Sequence, residues 1–493
     1  VLQHSAYWLT GDKNTEVKPM NKKKKTTQAS SYKSHAHFVY EFVKNYRSKG
    51  VSMDYLENWN EPEKWWHGND AYMAPYEYAS MSSQDWDAHQ DSSGFSIKKA
   101  SPSTKLVMAG LSDLKSDYVN ALSYWCDENR AGQIPWKVVN AHVYANDPKA
   151  KKALSPEAFQ LEAKVAAFVN NARVSMPNTE VWLSEFGYDR NGDSPQSVPS
   201  IPGYSPEEVQ AIWLLRSFLL LSSTGLDKAY QYMIRDTRGK GLYTSSGLYK
   251  LKDAQIELSE GWYYLKTLRS ALGAYHFTRR IPLKEKDIYA FEFENSKGQK
   301  AYAVWAGVEA RKTYSKTSLN LNFANNTHIQ LLQFDKADKG NIKQLKYTPQ
   351  LEIAITEKPV LLLQELPSVR TYTKIPVTEL LIDGSSKPLF DEQDDHDPLL
   401  YQHTKPHVLH EARTTTITFS DEKKLSFLCL FDDQGQSDVT IEVFTNDQWS
   451  VVYKGKLSLY QKWKSIYVGK ACKAIKITHQ SNTSKIGEVV LYE

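Results

Sequence analysis

Six times before residue 270, a short apolar run of β type is followed by a longer stretch with helical periodicity. The β-type runs are 1–9, 53–59, 105–110, 138–144, 180–185 and 228–233. The helical stretches are 32–49, 76–91, 115–131, 156–175, 206–223 and 259–272. Such alternation constrains the fold strongly. Parallel neighbours need a long crossover, and a helix supplies it while covering one face of the sheet. Two of the helices announce their starts. Ser155-Pro156-Glu157 and Ser205-Pro206-Glu207-Glu208 each offer a Ser N-cap, Pro at the first helical position and acids in the first turn.

A closed (β/α)8 TIM barrel fits better than an open doubly wound sheet, because residues able to do chemistry end several of the runs. Six units are present where eight are needed. The count therefore predicts that the first two barrel strands are absent from this chain, and that either a separate N-terminal fragment supplies them or the sequence is part of a longer mature protein. An open six-stranded remnant would leave sheet edges unpaired. After residue 270 the pattern changes to period-two alternation over 288–294, 300–305, 318–323, 329–334 and 351–363. A second series follows at 414–419, 424–431, 438–445, 449–454, 463–468, 474–479 and 488–492. The expected organisation is a barrel over 1–270 and two β-sandwich domains over 271–369 and 370–493.

Two strand ends carry the chemistry. Tyr55-Leu56-Glu57-Asn58-Trp59-Asn60-Glu61-Pro62 closes one run with an Asn-Glu-Pro turn, and Val181-Trp182-Leu183-Ser184-Glu185-Phe186-Gly187 closes another with Glu before Gly. Cleaving a glycosidic bond with retention needs two carboxyl groups about 5–5.5 Å apart, one protonated and one ionised. Neighbouring strand ends of a barrel can supply that separation. Burial against Trp59, Trp65 and Trp66, together with the second carboxylate, would raise the acid's pKa. Asn60 can hydrogen-bond a sugar hydroxyl, and Trp65 and Trp66 can stack on a ring. His142 and Tyr144 end another run, and Tyr230, Tyr232 and Arg235 close the last. An arginine there would suit an acidic or sulfated sugar through its bidentate fork.

The Asn60-Glu61-Pro62 turn paired with Glu185 resembles clan A of the glycoside hydrolases. The resemblance implies that Glu61 is the acid/base and Glu185 the nucleophile, on barrel strands four and seven. It places His142 and Tyr144 on strand six, where the clan contacts nucleophile or substrate, and makes 1–9 strand three. The spacing and the β modules are most similar to families 39 and 86. The last module resembles the discoidin, or factor 5/8 type C, jelly-roll of many carbohydrate-binding modules. Its acidic run Asp391-Glu392-Gln393-Asp394-Asp395 offers oxygen ligands of the kind a structural calcium prefers. The catalytic chemistry itself requires no metal or organic cofactor.

Composition narrows the partners. The chain holds 30 Tyr, 13 Trp and 17 Phe, amphipathic plates suited to sugar rings. Its net charge is only +4, and the run Lys22–Lys25 reads as a solvated loop, so no nucleic-acid partner is expected. No apolar run reaches the roughly 18–20 residues of a membrane span. Three cysteines, Cys126, Cys429 and Cys472, do not make a disulfide framework, although the last two could pair. A poly- or oligosaccharide substrate implies a secreted, periplasmic or cell-surface enzyme. The competing reading is a non-catalytic surface sugar-binding protein with a degenerate barrel.

Overall fold

The computed structural model describes residues 10, 17–20, 24–237, 239–252, 255–323, 328–364, 373–382, 414–432, 437–457, 462–479 and 486–493. The expected strand at 1–9 and the acidic run 391–395 lie outside the described residues. The chain divides into two compact units, Val1–Tyr40 with Asp54–Val369, and Glu41–Met53 with Arg370–Glu493.

In the first unit, five parallel strands form one sheet in the order β1 (Tyr55–Glu57), β2 (Lys105–Val107), β3 (Val138–His142), β4 (Glu180–Phe186) and β5 (Lys228–Gln231). Sequence order and spatial order coincide, as in one side of a barrel. Side chains alternate between the two faces. Leu56, Leu106, Val139, Ala141, Val181 and Leu183 are buried in the core. Each large apolar side chain removed from water in this way contributes about 1.5–3 kcal/mol. On the other face Val107, Val138 and Trp182 form a small cluster with Tyr55. The helices Pro75–Asp87, Ser116–Arg130, Leu161–Ser175, Pro206–Leu221 and Glu260–Leu272 follow in sequence, each packed against the next.

Helix starts follow local chemistry. The Ser205 hydroxyl accepts from the Glu208 amide at 3.0 Å and caps Pro206–Leu221 as its sequence predicts. The helix expected from Pro156 instead begins at Leu161, because Gln160 takes a left-handed φ of 60°. Ser155 still caps the preceding turn, accepting from the Ala158 amide at 3.3 Å. The turn is diverted by Glu157, whose carboxylate joins buried Arg216 and accepts the Trp305 indole N–H at 2.6 Å.

Trp305 belongs to the β module that completes this unit. Its six-stranded sheet runs in the order Tyr275–Arg280, Ile288–Asn295, Lys300–Ala306, Val360–Leu363, His328–Gln333, Asn341–Lys346, and Tyr314–Asn320 pairs separately with Gln350–Ile355. The run 351–363 thus splits into two strands that pair with different partners. In the second unit the sheet order is Leu380–Ile382, Thr414–Asp432, Lys462–His479, Asp438–Thr445, Gln448–Lys456, with Ile486–Tyr492 also on Thr414–Asp432. Two pairs of expected strands merge here. The runs 414–419 and 424–431 are one strand of 19 residues, and 463–468 and 474–479 lie in one of 18. Register shifts between Thr418 and Lys423 and between Leu425 and Phe427 absorb the polar interruption. Cys429 and Cys472 do not pair. All three cysteines are free thiols, and Cys429 lies instead 3.3 Å from the Ser465 hydroxyl. No described helix is long and apolar enough to cross a membrane.

Candidate active site

The C-terminal ends of β1 to β5 bring the chemistry-bearing side chains to one rim. Past β1, Asn60 forms a parallel bridge with Gly110, and the Glu61 amide donates to the Gly110 carbonyl at 2.9 Å. Glu61 holds a left-handed φ of 44°, strained for a residue with a Cβ. At the end of β3, His142 is fully buried. Its Nδ1 lies 3.0 Å from Glu61 Oε1 and 3.7 Å from Glu185 Oε2. Gly110 makes room for this imidazole, since a Cβ there would collide with His142 Nε2.

Glu185 reaches the same point through an irregularity in β4. Ala141 pairs with Leu183 but His142 pairs with Glu185, so Ser184 is an extra residue in the strand. A bulge of this kind re-aims the side chain that follows it. Tyr144 donates its hydroxyl to Glu185 Oε2 at 2.8 Å. The nearest oxygens of Glu61 and Glu185 therefore cannot be farther apart than the sum of their distances to His142 Nδ1. That bound encompasses the retaining separation and only touches the lower edge of the inverting one.

The electrostatics follow from this crowding. Burial raises the Glu185 pKa, aided by the negative charge of Glu61 and opposed by His142 and the Tyr144 hydrogen bond. For His142, burial pulls the pKa down. The hydrogen bond to Glu61 and the charges of Glu185, Glu61 and Glu57 more than offset it, and the net shift is upward. The Tyr144 phenol is pushed far up by burial and by Glu185.

Of the residues proposed from sequence, Glu61, Glu185, His142 and Tyr144 form one contact network. Tyr232 joins its periphery. Its ring is 5.3 Å from Tyr243, and burial and the charges of Glu185 and Glu61 raise its pKa. Asn60 is half-buried beside Glu61. Trp65 and Trp66 stand edge to face, 6.0 Å apart, on an exposed single turn beyond Pro62, with 71% and 47% of their surface accessible. Trp59 points elsewhere: it is buried, 6.2 Å from His35. Tyr230 is not at the rim. Its ring lies 5.7 Å from Trp182, in the layer of Tyr55, because it sits two residues below Tyr232 along the strand and so one layer short of the strand end. Arg235 lies in the following loop, its backbone bridged to Tyr249, and among the described residues no carboxylate pairs with it.

Three groups escape a sequence reading. Glu57, one layer below Glu61, accepts from the Gly110 amide at 2.8 Å and from Asn140 Nδ2 at 3.3 Å. Burial pushes its carboxyl up to about 6. Tyr243 packs 5.1 Å from Tyr144 with a left-handed φ of 64°. Asp189, fully buried, holds the Tyr243 loop by accepting from the Tyr243 amide at 2.9 Å and the Ser245 amide at 3.2 Å. Parity along β1 points to Glu57, since it shares a face with Tyr55. Nothing local points to Tyr243.

Among the described residues no group of three or more His, Cys, Asp or Glu side chains has the arrangement of a metal site. No protein-family model and no curated protein matches the chain. Solved structures similar to it include a family 39 glycoside hydrolase from the gut symbiont Bacteroides cellulosilyticus WH2. The match has 15% identity and a TM-score of 0.43, covering 68% of this chain and 62% of that one. A family 51 arabinofuranosidase from Xanthomonas axonopodis pv. citri matches at 10% identity and a TM-score of 0.46, over 68% of this chain and 72% of that one. A family 86 beta-porphyranase from Bacteroides plebeius matches at 14% identity and a TM-score of 0.36, over 89% of this chain and 78% of that one.

Proposed function

We propose that the protein is a retaining glycoside hydrolase acting on a poly- or oligosaccharide, with Glu61 as acid/base and Glu185 as nucleophile. The observation that carries this reading is the single imidazole nitrogen of His142 within reach of both carboxylates. In the first step a Glu185 oxygen bonds to the anomeric carbon as the glycosidic C–O bond breaks, and Glu61 gives its proton to the departing oxygen. In the second, Glu61 takes a proton from water, whose oxygen displaces Glu185 from the sugar. The Tyr144 hydroxyl orients the nucleophile, and His142 between the carboxylates reduces their repulsion. Trp65 and Trp66 offer faces for further sugar rings, and Arg235 is the group for an acidic or sulfated substituent. Such a substrate fits an enzyme working outside the cytoplasm.

The test uses the full chain with 2,4-dinitrophenyl 2-deoxy-2-fluoro glycosides of glucose, galactose, xylose and arabinose. The expected result is a mass increase of one fluoro-sugar, mapped to Glu185 and absent in Glu185→Gln. The Glu61→Gln variant should lose about 10²–10⁴-fold in rate on substrates with poor leaving groups. It should lose much less on dinitrophenyl glycosides, which need no proton. Labelling at another residue, or products of inverted configuration, would refute this assignment. A wild-type chain inert on these probes and on a panel of plant and algal polysaccharides would favour a binding protein.

A further inference from the structure

The assignment above leaves a third carboxylate unexplained. Glu57 lies on the inner face of β1, where a charge is costly unless it is used. Its Oε1 accepts two hydrogen bonds that lead in opposite directions. One comes from the Gly110 amide at 2.8 Å, and the Gly110 carbonyl accepts the Glu61 amide at 2.9 Å. The other comes from Asn140 Nδ2 at 3.3 Å, and Asn140 Oδ1 accepts the Ser184 amide at 3.1 Å, immediately before Glu185. Gly110 also forms the wall against His142 Nε2. The Glu61 amide and the Ser184 amide, next to Glu185, are thus each two hydrogen bonds from this carboxylate.

We infer that Glu57 is a positioning residue whose one oxygen sets the separation of Glu61 and Glu185, by anchoring Gly110 on one side and the Ser184 bulge on the other. This rests on the proposed hydrolase reading for its consequence but not for its geometry. Both strand ends depart from regular pairing at the anchored points. Glu61 is left-handed just past Gly110, and the β3–β4 register slips at Ser184. Irregular backbone relaxes to a commoner conformation unless neighbouring groups hold it. A displacement of about 1 Å between reacting groups is enough to cost about 100-fold in rate.

The test compares Glu57→Gln, which keeps an acceptor oxygen of the same reach, with Glu57→Leu, which keeps the bulk and removes it. On the dinitrophenyl glycoside that the wild type cleaves fastest, Glu57→Leu should lose about 100-fold in kcat with KM within threefold. Glu57→Gln should stay within about tenfold of wild type. Equal losses in both variants, or an effect carried by KM, would overturn the inference. If the wild type cleaves no probe, the hydrolase reading falls and the geometry is tested by itself. In a crystal structure of full-length Glu57→Leu, the contact from His142 Nδ1 to Glu61 should open beyond hydrogen-bond distance. An unchanged contact there, with Ser184 still bonded to Asn140, would overturn the inference independently of activity. Should Glu57→Leu fail to fold, Glu57→Gln decides: a loss well beyond tenfold, or a displaced Gly110, refutes the anchoring role.

Discussion

Tyr144 and Glu185 show how one hydrogen bond bears on the titration of a buried carboxylate. The carboxylate is pushed upward by burial and by Glu61, and the Tyr144 hydroxyl at 2.8 Å is among the few groups holding it down. The other charges and phenols facing it are His142, Tyr232 and Tyr243. Removing the hydroxyl in Tyr144→Phe removes a stabilising influence on the ionised form, so the Glu185 pKa must rise further. On the proposed reading Glu185 is the nucleophile, which must be ionised to attack. The acidic limb of the kcat/KM profile is therefore expected to move to higher pH, with the loss greatest in acid and smallest near neutrality. A uniform loss across the profile would mean that Tyr144 acts by contact with substrate instead. The four residues of the network were legible in the sequence because each ends a strand, where side chains converge. Glu57 was not, because a carboxylate inside a three-residue strand reads as solvated until its interior neighbours are known.

At the scale of elements, the rim depends on irregularities that no propensity announces. The bulge at Ser184 is one, and the Tyr243 loop is another. That loop is fastened by Asp189, by Arg190 through the Gly247 carbonyl at 2.8 Å and the Asp236 carboxylate, and by Gln231 through the Ser246 carbonyl at 2.6 Å. Asp189→Ala leaves several buried amide and hydroxyl donors without an acceptor, at about 1–3 kcal/mol each. The expected outcome is faster hydrogen exchange over residues 239–247, with at least a tenfold fall in kcat/KM, the order set by losing one packed wall of the site. Exchange that stays at wild-type rates would rule out the fastening role. Strand–helix alternation predicted the five described parallel strands within a few residues, because the central strands are largely apolar and the stretches between them carry helical periodicity and caps. It missed Asn341–Lys346, an edge strand that is exposed along almost its whole length and so lacks alternation. It also divided Thr414–Asp432, whose polar middle reads as a turn.

For the first unit as a whole, the decisive contact joins the last helices of the barrel side to the β module. Arg216 is fully buried, bonded to Glu157 and donating to the Val308 carbonyl at 3.0 Å, while Glu157 also accepts from Trp305. Around it, Glu309 accepts the Ser155 amide at 2.8 Å and Lys358 pairs with Glu208 at 2.7 Å. Arg216→Met strands a buried carboxylate and is expected to destabilise this unit by about 3–5 kcal/mol in urea unfolding of the full chain. Changing Glu157 to Gln in the same chain should recover much of the loss, since no unpaired charge then remains. A double variant as unstable as the single one would locate the cost in packing. The pair also has a practical consequence for anyone cutting the gene into pieces. A fragment ending at residue 270 would carry Arg216 and Glu157 to the surface of a broken joint, without the indole and carbonyl that complete their shell. The β module is therefore no detachable passenger of the barrel side, and the two belong to one compact unit that reaches Val369.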